Sequence, residues 1–187
     1  LFLTGTYWIY ISVVVFGQAP VWVALLLMLG LTLIMALWLA FAGWLISLLA
    51  RGDTWLLLLA APAGWVLVEW LRGWVLSGFP WMALGYSQID SGYSGWAPVA
   101  GVYAVSFAVV FSSAALLAAI NSQGRQRIVA TVLIIAPWIV GGALTLIDWT
   151  EADGDELRAT ILQYGIGQEQ KWLRENRQRT LDYYRDG

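Results

Sequence analysis

The chain has no cysteine and no histidine, and only 12% of its 187 residues are charged. Without cysteine there is no disulfide and no thiolate nucleophile. Without histidine there is no imidazole ligand and no Ser–His or Cys–His relay. No metal site and no cofactor are therefore expected. A soluble domain usually carries about 25% charged residues, so the scarcity of charge argues against one. A net charge of −2 with no basic stripe offers no grip on a phosphate backbone, which excludes nucleic acid as a partner. No basic stretch precedes residues 1–16, so they are not read as a signal peptide. The sequence lacks an initial Met and begins inside an apolar run, and is read as a fragment.

What the chain does have is apolar length: 60% of its residues are hydrophobic. Only Arg51, Asp53, Glu69, Arg72, Asp90, Arg125 and Arg127 are charged before residue 148, and every other charge follows. Crossing a hydrocarbon core of about 30 Å takes roughly 20 apolar helical residues. Segments 21–50, 54–77, 97–120 and 128–147 qualify, and 1–16 reads as a fifth, clipped span. The fold class is accordingly mainly α: a polytopic transmembrane helical bundle over residues 1–147. Arg51 lies in the turn after the second span, and Arg125 and Arg127 in the turn after the fourth. Alternate crossings place these turns on one face, which the positive-inside rule makes cytoplasmic. The loop 79–96 and everything after residue 147 then lie on the opposite, periplasmic face.

Residues 148–156 form an acidic linker with Asp148, Glu151, Asp153, Asp155 and Glu156. Their spacing is not that of an EF-hand loop. Residues 157–163 alternate loosely and read as a strand, 164–167 as a turn, and 168–184 as an amphipathic helix with a Glu175–Arg179 pair. A single strand and helix cannot bury their own apolar face. Residues 157–187 are thus read as the truncated start of a soluble domain.

Several residues stand out chemically. Glu69 and Arg72 sit in an otherwise apolar span, where each costs about 2.5–3.5 kcal/mol and needs a partner. Three positions apart, they can form a structural ion pair that braces the bundle. Alternatively they make a polar spot for a lipid head group, where the planar fork of Arg72 suits phosphate. Gly78 and Pro80 end that helix abruptly. The loop that follows carries Phe79, Trp81, Tyr86 and Gln88, and reads as either an interfacial anchor or the wall of a binding cleft. The 13 Trp and 8 Tyr read mainly as interfacial anchors.

The motifs Trp70-Leu71-Arg72-Gly73-Trp74, Ser77-Gly78-Phe79-Pro80-Trp81 and Gly85-Tyr86-Ser87-Gln88-Ile89-Asp90 resemble the membrane region of apolipoprotein N-acyltransferases. Gly101-Val102-Tyr103-Ala104-Val105-Ser106-Phe107 resembles the next helix of that family, and residues 163–172 are similar to the entry of its nitrilase-like domain. The resemblance implies a bacterial inner-membrane enzyme with eight transmembrane helices and a periplasmic αββα nitrilase-like domain, opened here by its first β-strand and helix. Such an enzyme moves an acyl chain from a phospholipid to the α-amino group of a diacylglyceryl-cysteine apolipoprotein, through a thioester on a Cys helped by a Glu and a Lys. That triad is expected downstream of Gly187, and Glu69, Glu169 and Lys171 match other positions. The chain alone is therefore expected to be inactive. The resemblance further implies a phospholipid donor and an apolipoprotein acceptor as partners, and carries Trp172 over as a residue near the site. Trp172 alternatively packs as an ordinary helix residue. The family shows Gly, Asn or Asp, Ile and Pro where this chain has Tyr164, Gly165, Ile166 and Gly167.

Arg72, Phe79, Trp81, Tyr86, Gln88 and Trp172 are thus the candidate lipid or substrate contacts, with no catalytic residue in the chain. Two other functions are weighed. One is a transporter or channel subunit using the intramembrane Glu69/Arg72 site, and the other a structural anchor for a periplasmic enzyme. Against the first, the other spans have no charges to line a path, and no internal repeat is found.

Overall fold

In a computed structural model, residues 2–154, 157–161, 163, 165–171 and 173–185 are described. The chain forms two compact units: Leu33–Glu151, and Leu1–Thr32 with Ala152–Gly187. The boundary falls inside helix α1 (Val21–Ala50), thirty uncharged residues and about 45 Å of helix.

The larger unit continues from α1 through a tight turn. Arg51 and Gly52 take positive φ (50° and 76°), and the Asp53 carboxylate then accepts the amides of Trp55 (2.7 Å) and Leu56 (3.2 Å). That side chain satisfies donors that a helix start leaves open, and α2 (Leu57–Arg72) follows. A 3-10 turn Val75–Ser77 leads to Gly78 at φ 75° and ψ 149°. The loop beyond is largely ordered into 3-10 turns Leu84–Gln88 and Gly92–Trp96. Helix α3 (Ala97–Asn121) begins with Pro98 and is broken at Ala100 and Gly101, where φ/ψ leave the helical region. Helix α4 (Gly124–Leu144) closes the unit.

The helices associate through small side chains. Ala61, Ala114, Ala115, Ala118, Ala119 and Ala130 form a core with Leu58. In an apolar solvent there is no hydrophobic gain from association, and small residues let backbones approach and gain dispersion contacts. The same economy joins the loop to α4: a Cβ on Gly95 would lie 1.9 Å from the Gly141 carbonyl oxygen. This core also places Trp55 and Leu57, just after Arg51, against the α3 end and α4 start that flank Arg125 and Arg127. The basic residues therefore share one end of the unit.

Among the described residues, three helical stretches are long and apolar enough to cross a membrane: Val21–Ala50, Gly92–Asn121 and Gly124–Leu144. The other two expected spans differ. Helix α2 has 16 residues, about 24 Å, because its regular winding stops at Arg72 rather than running to residue 77. Arg125 and Arg127 lie inside the first turn of α4, not in the preceding loop.

In the smaller unit, the expected first span is broken into Phe2–Gly5, Trp8–Ile11 and a π-helical turn Ser12–Phe16. The Thr6 and Ser12 hydroxyls donate to the carbonyls of Phe2 (2.8 Å) and Trp8 (3.2 Å), a back-bonding that bends helices. Residues 157–161 and 163 have no regular structure where a strand was expected, and Leu157 and Ile161 are 93% and 87% exposed. A strand needs a neighbouring ladder, and no strand occurs among the described residues. The expected helix 168–184 is divided into a turn Gln168–Lys171, a 3-10 turn Arg174–Asn176 and α5 (Arg177–Arg185). Glu175 falls outside α5, and Arg179 donates to the Tyr183 hydroxyl (2.9 Å) instead of pairing with it.

Candidate functional site

The site is built on the last turn of α2. Spacing of three residues puts Glu69 and Arg72 on one face, and both are buried, at 6% and 5% exposure. Each hydrogen-bonds the main chain of the loop. Glu69 Oε1 accepts the Leu84 amide at 2.7 Å and the Trp65 indole N–H at 3.2 Å. Arg72 Nη1 donates to the Trp81 carbonyl at 3.0 Å and faces Met35 Sδ at 4.0 Å. The Arg72 carbonyl accepts the Phe79 amide at 2.8 Å, which folds the chain back at once. Both charged residues therefore brace the loop.

One residue further on, the Gly85 amide donates to the Ser106 hydroxyl oxygen at 2.9 Å, and Ser106 is fully buried in α3. A Cβ on Gly85 would sit 2.4 Å from the Val102 carbonyl oxygen, so only glycine lets the turn lie this close to the α3 backbone. The outer surface of the same loop is aromatic. Trp81 and Tyr86 are 56% and 59% exposed. The Phe79 and Trp81 rings pack at 5.2 Å, and Trp70 and Trp74 at 6.3 Å. The Gln88 side chain is half-buried and engaged, donating to the Ser87 hydroxyl and accepting from Ser91, each at 3.0 Å.

Elsewhere in this unit an apolar cavity of about 390 Å³ is walled by Val66, Trp96, Val99, Tyr103, Phe107 and Pro137, next to the break in α3. Irregular backbone at membrane depth is tolerated where it lines such a cavity. The Trp96 indole N–H donates to the Pro137 carbonyl at 2.8 Å along its edge. In the smaller unit a polar cavity of about 360 Å³ is lined by Gly165, Gly167, Gln170, Asn176, Arg179 and Tyr183.

The structure thus brings Arg72, Phe79, Trp81, Tyr86 and Gln88 into one loop system. Trp172 lies outside the described residues. Sequence reasoning missed Ser106 and Trp65 as partners. A hydroxyl in an apolar span has to find a hydrogen-bond partner, but nothing in the pattern said that Ser106 would find it outside its own helix.

A family profile described as the apolipoprotein N-acyltransferase N-terminal domain matches residues 1–115. The chain belongs to this family. Members named apolipoprotein N-acyltransferase are similar along almost all of it. The Coxiella burnetii protein is 39% identical over 186 residues, 98% of this chain and 38% of its own length. That of Chromobacterium violaceum is 41% identical over 182 residues, 95% and 35% of the two chains. That of Azotobacter vinelandii is 40% identical over 190 residues, 100% and 37%. The chain thus spans under two-fifths of the length of these family members. The profile match includes the Glu69–Arg72 turn, the loop and Ser106.

Proposed function

We propose that this chain is the membrane part of a phospholipid-dependent acyltransferase that N-acylates the diacylglyceryl-cysteine of apolipoproteins. The observation that carries the reading is the loop 79–88. Its backbone is tied inward to buried Glu69, Arg72 and Ser106, while Trp81 and Tyr86 face out beyond the end of α2. Aromatic rings of this kind settle at head-group depth. Phe79, Trp81, Tyr86 and Gln88 then seat the donor lipid, with Arg72 supplying positive charge from beneath. The apolar cavity beside the break in α3 suits an acyl chain.

Chemistry is assigned to a nitrilase-like domain that residues 157–187 begin, with 148–156 as its tether and 1–147 as the bundle. Exposed Leu157 and Ile161 support this, since both need a covering layer. The family resemblance implies a Glu, a Lys and a Cys for that chemistry, and a thioester cannot form on these residues, which include no cysteine. The enzyme is placed in the bacterial inner membrane with this domain in the periplasm. Arg51, Arg125 and Arg127 at one end of the helices support that orientation.

The test is acyl transfer from a labelled phospholipid to a diacylglyceryl-cysteine peptide by the full-length protein. Label should pass through a Cys of the downstream domain, and residues 1–187 alone should give no turnover. Absence of phospholipid-dependent transfer by the full-length protein would overturn the proposal.

A further inference from the structure

We propose that Glu69 and Ser106 are positioning residues: two buried acceptors on different helices that together hold the turn Leu84–Gln88 and thereby aim Tyr86 outward. The inference rests on the acyltransferase reading for what the turn touches, and deepens it by naming what sets the turn.

Successive amides of the turn go to the two acceptors, Leu84 N–H to Glu69 Oε1 on α2 and Gly85 N–H to Ser106 Oγ on α3. Glu69 is 6% exposed and Ser106 0%, so neither bond is exchanged for water without moving the turn. Two acceptors on separate helices set both the depth and the tilt of the turn. The lack of a side chain on Gly85 presses it directly against the Val102 carbonyl. Tyr86 follows immediately and, with its ring 59% exposed, has its direction determined by these two anchors.

Glu69 achieves this with one oxygen. Oε2 is buried and has no hydrogen-bond partner among the described residues. The loop thus requires an acceptor at Oε1, and a glutamine can present the same acceptor. A role confined to pairing with Arg72 would require the full carboxylate charge, which makes Glu69→Gln the discriminating substitution.

The experiment uses the full-length protein in phosphatidylethanolamine–phosphatidylglycerol vesicles, with Glu69→Ala, Glu69→Gln, Ser106→Ala, the double alanine variant, and Ser112→Ala as control. Ser112 is a buried hydroxyl of the same helix, 3.0 Å from the Tyr93 hydroxyl and remote from the turn's amides. Amide exchange over residues 81–88 should quicken in Glu69→Ala and Ser106→Ala and stay at the wild-type rate in Glu69→Gln and Ser112→Ala. KM for the phospholipid should rise by about tenfold in Glu69→Ala and about threefold in Ser106→Ala with kcat retained, in line with losing a charged and a neutral hydrogen bond. The double variant should raise KM little beyond Glu69→Ala, because a turn already released has nothing further to lose at its second anchor.

Unchanged exchange in the two alanine variants would overturn the inference. So would a fall in kcat with KM held, a Glu69→Gln variant as impaired as Glu69→Ala, or a Ser112→Ala variant that shifts KM equally. Failure of the acyltransferase reading appears separately, as wild-type protein without transfer, and the exchange measurement then still decides the positioning role.

Discussion

The two ends of helix α2 solve opposite packing problems. At the Leu58–Ala61 end, contact is made by alanines of α3 and α4, with no polar side chain in the cluster. At the Glu69–Arg72 end, two charges are buried and engaged by an indole, a backbone amide and a backbone carbonyl. One end gains from close approach alone. The other needs directional bonds, because an unmet charge at this depth is expensive. The first surface tolerates any small apolar residue, whereas the second specifies the path of one loop. A site with defined geometry is therefore expected where the charges are.

That contrast can be broken most forcefully by reversing the charged pair. The double variant Glu69→Arg/Arg72→Glu keeps net charge but sets a donor against the Leu84 N–H and an acceptor against the Trp81 carbonyl. It should remain destabilised by about 3–5 kcal/mol in detergent unfolding, as breaking a buried pair does. Recovery to wild-type stability would show that pairing alone matters. Next in size, Ala115→Leu or Ala118→Leu, each at positions 0% exposed, should overpack the dry end by about 1–3 kcal/mol without altering amide exchange in loop 79–88. Gly95→Ala should cost about 1–3 kcal/mol and part the second 3-10 turn from α4, read as faster exchange over residues 92–96. At the small end, Ser112→Ala, which removes one bond to Tyr93, should cost about 0.5–1.5 kcal/mol.

Much of the helical plan is legible from composition. Uncharged stretches mark α1, α3 and α4 to within a few residues, since apolar length is a direct consequence of membrane thickness. The end of α2 is not legible in this way. Nothing in Gly73-Trp74-Val75 announces that winding stops at Arg72, because the stop depends on the Phe79 amide returning to the Arg72 carbonyl. The break at Ala100–Gly101 is similarly hidden, as glycine is common in membrane helices without breaking them. At the site, the charges and aromatics announce themselves by being costly or unusual. Ser106 does not, because a serine in a span more often bonds its own helix.

The expected strand at 157–163 shows the converse. Its alternation is that of a strand, yet residues 157–161 and 163 lie without regular structure because a strand exists only in a ladder. Pattern alone determined that this protein has uncharged helices apolar enough to cross a membrane, sets two charges in a helix between them, and follows these with an aromatic loop, since transfer energies act residue by residue. Which atoms those charges meet was decided only by the fold. The amides of Leu84 and Gly85, the carbonyl of Trp81 and the hydroxyl of Ser106 come from separate segments, and hydrogen bonds act only over the few ångströms that tertiary packing sets.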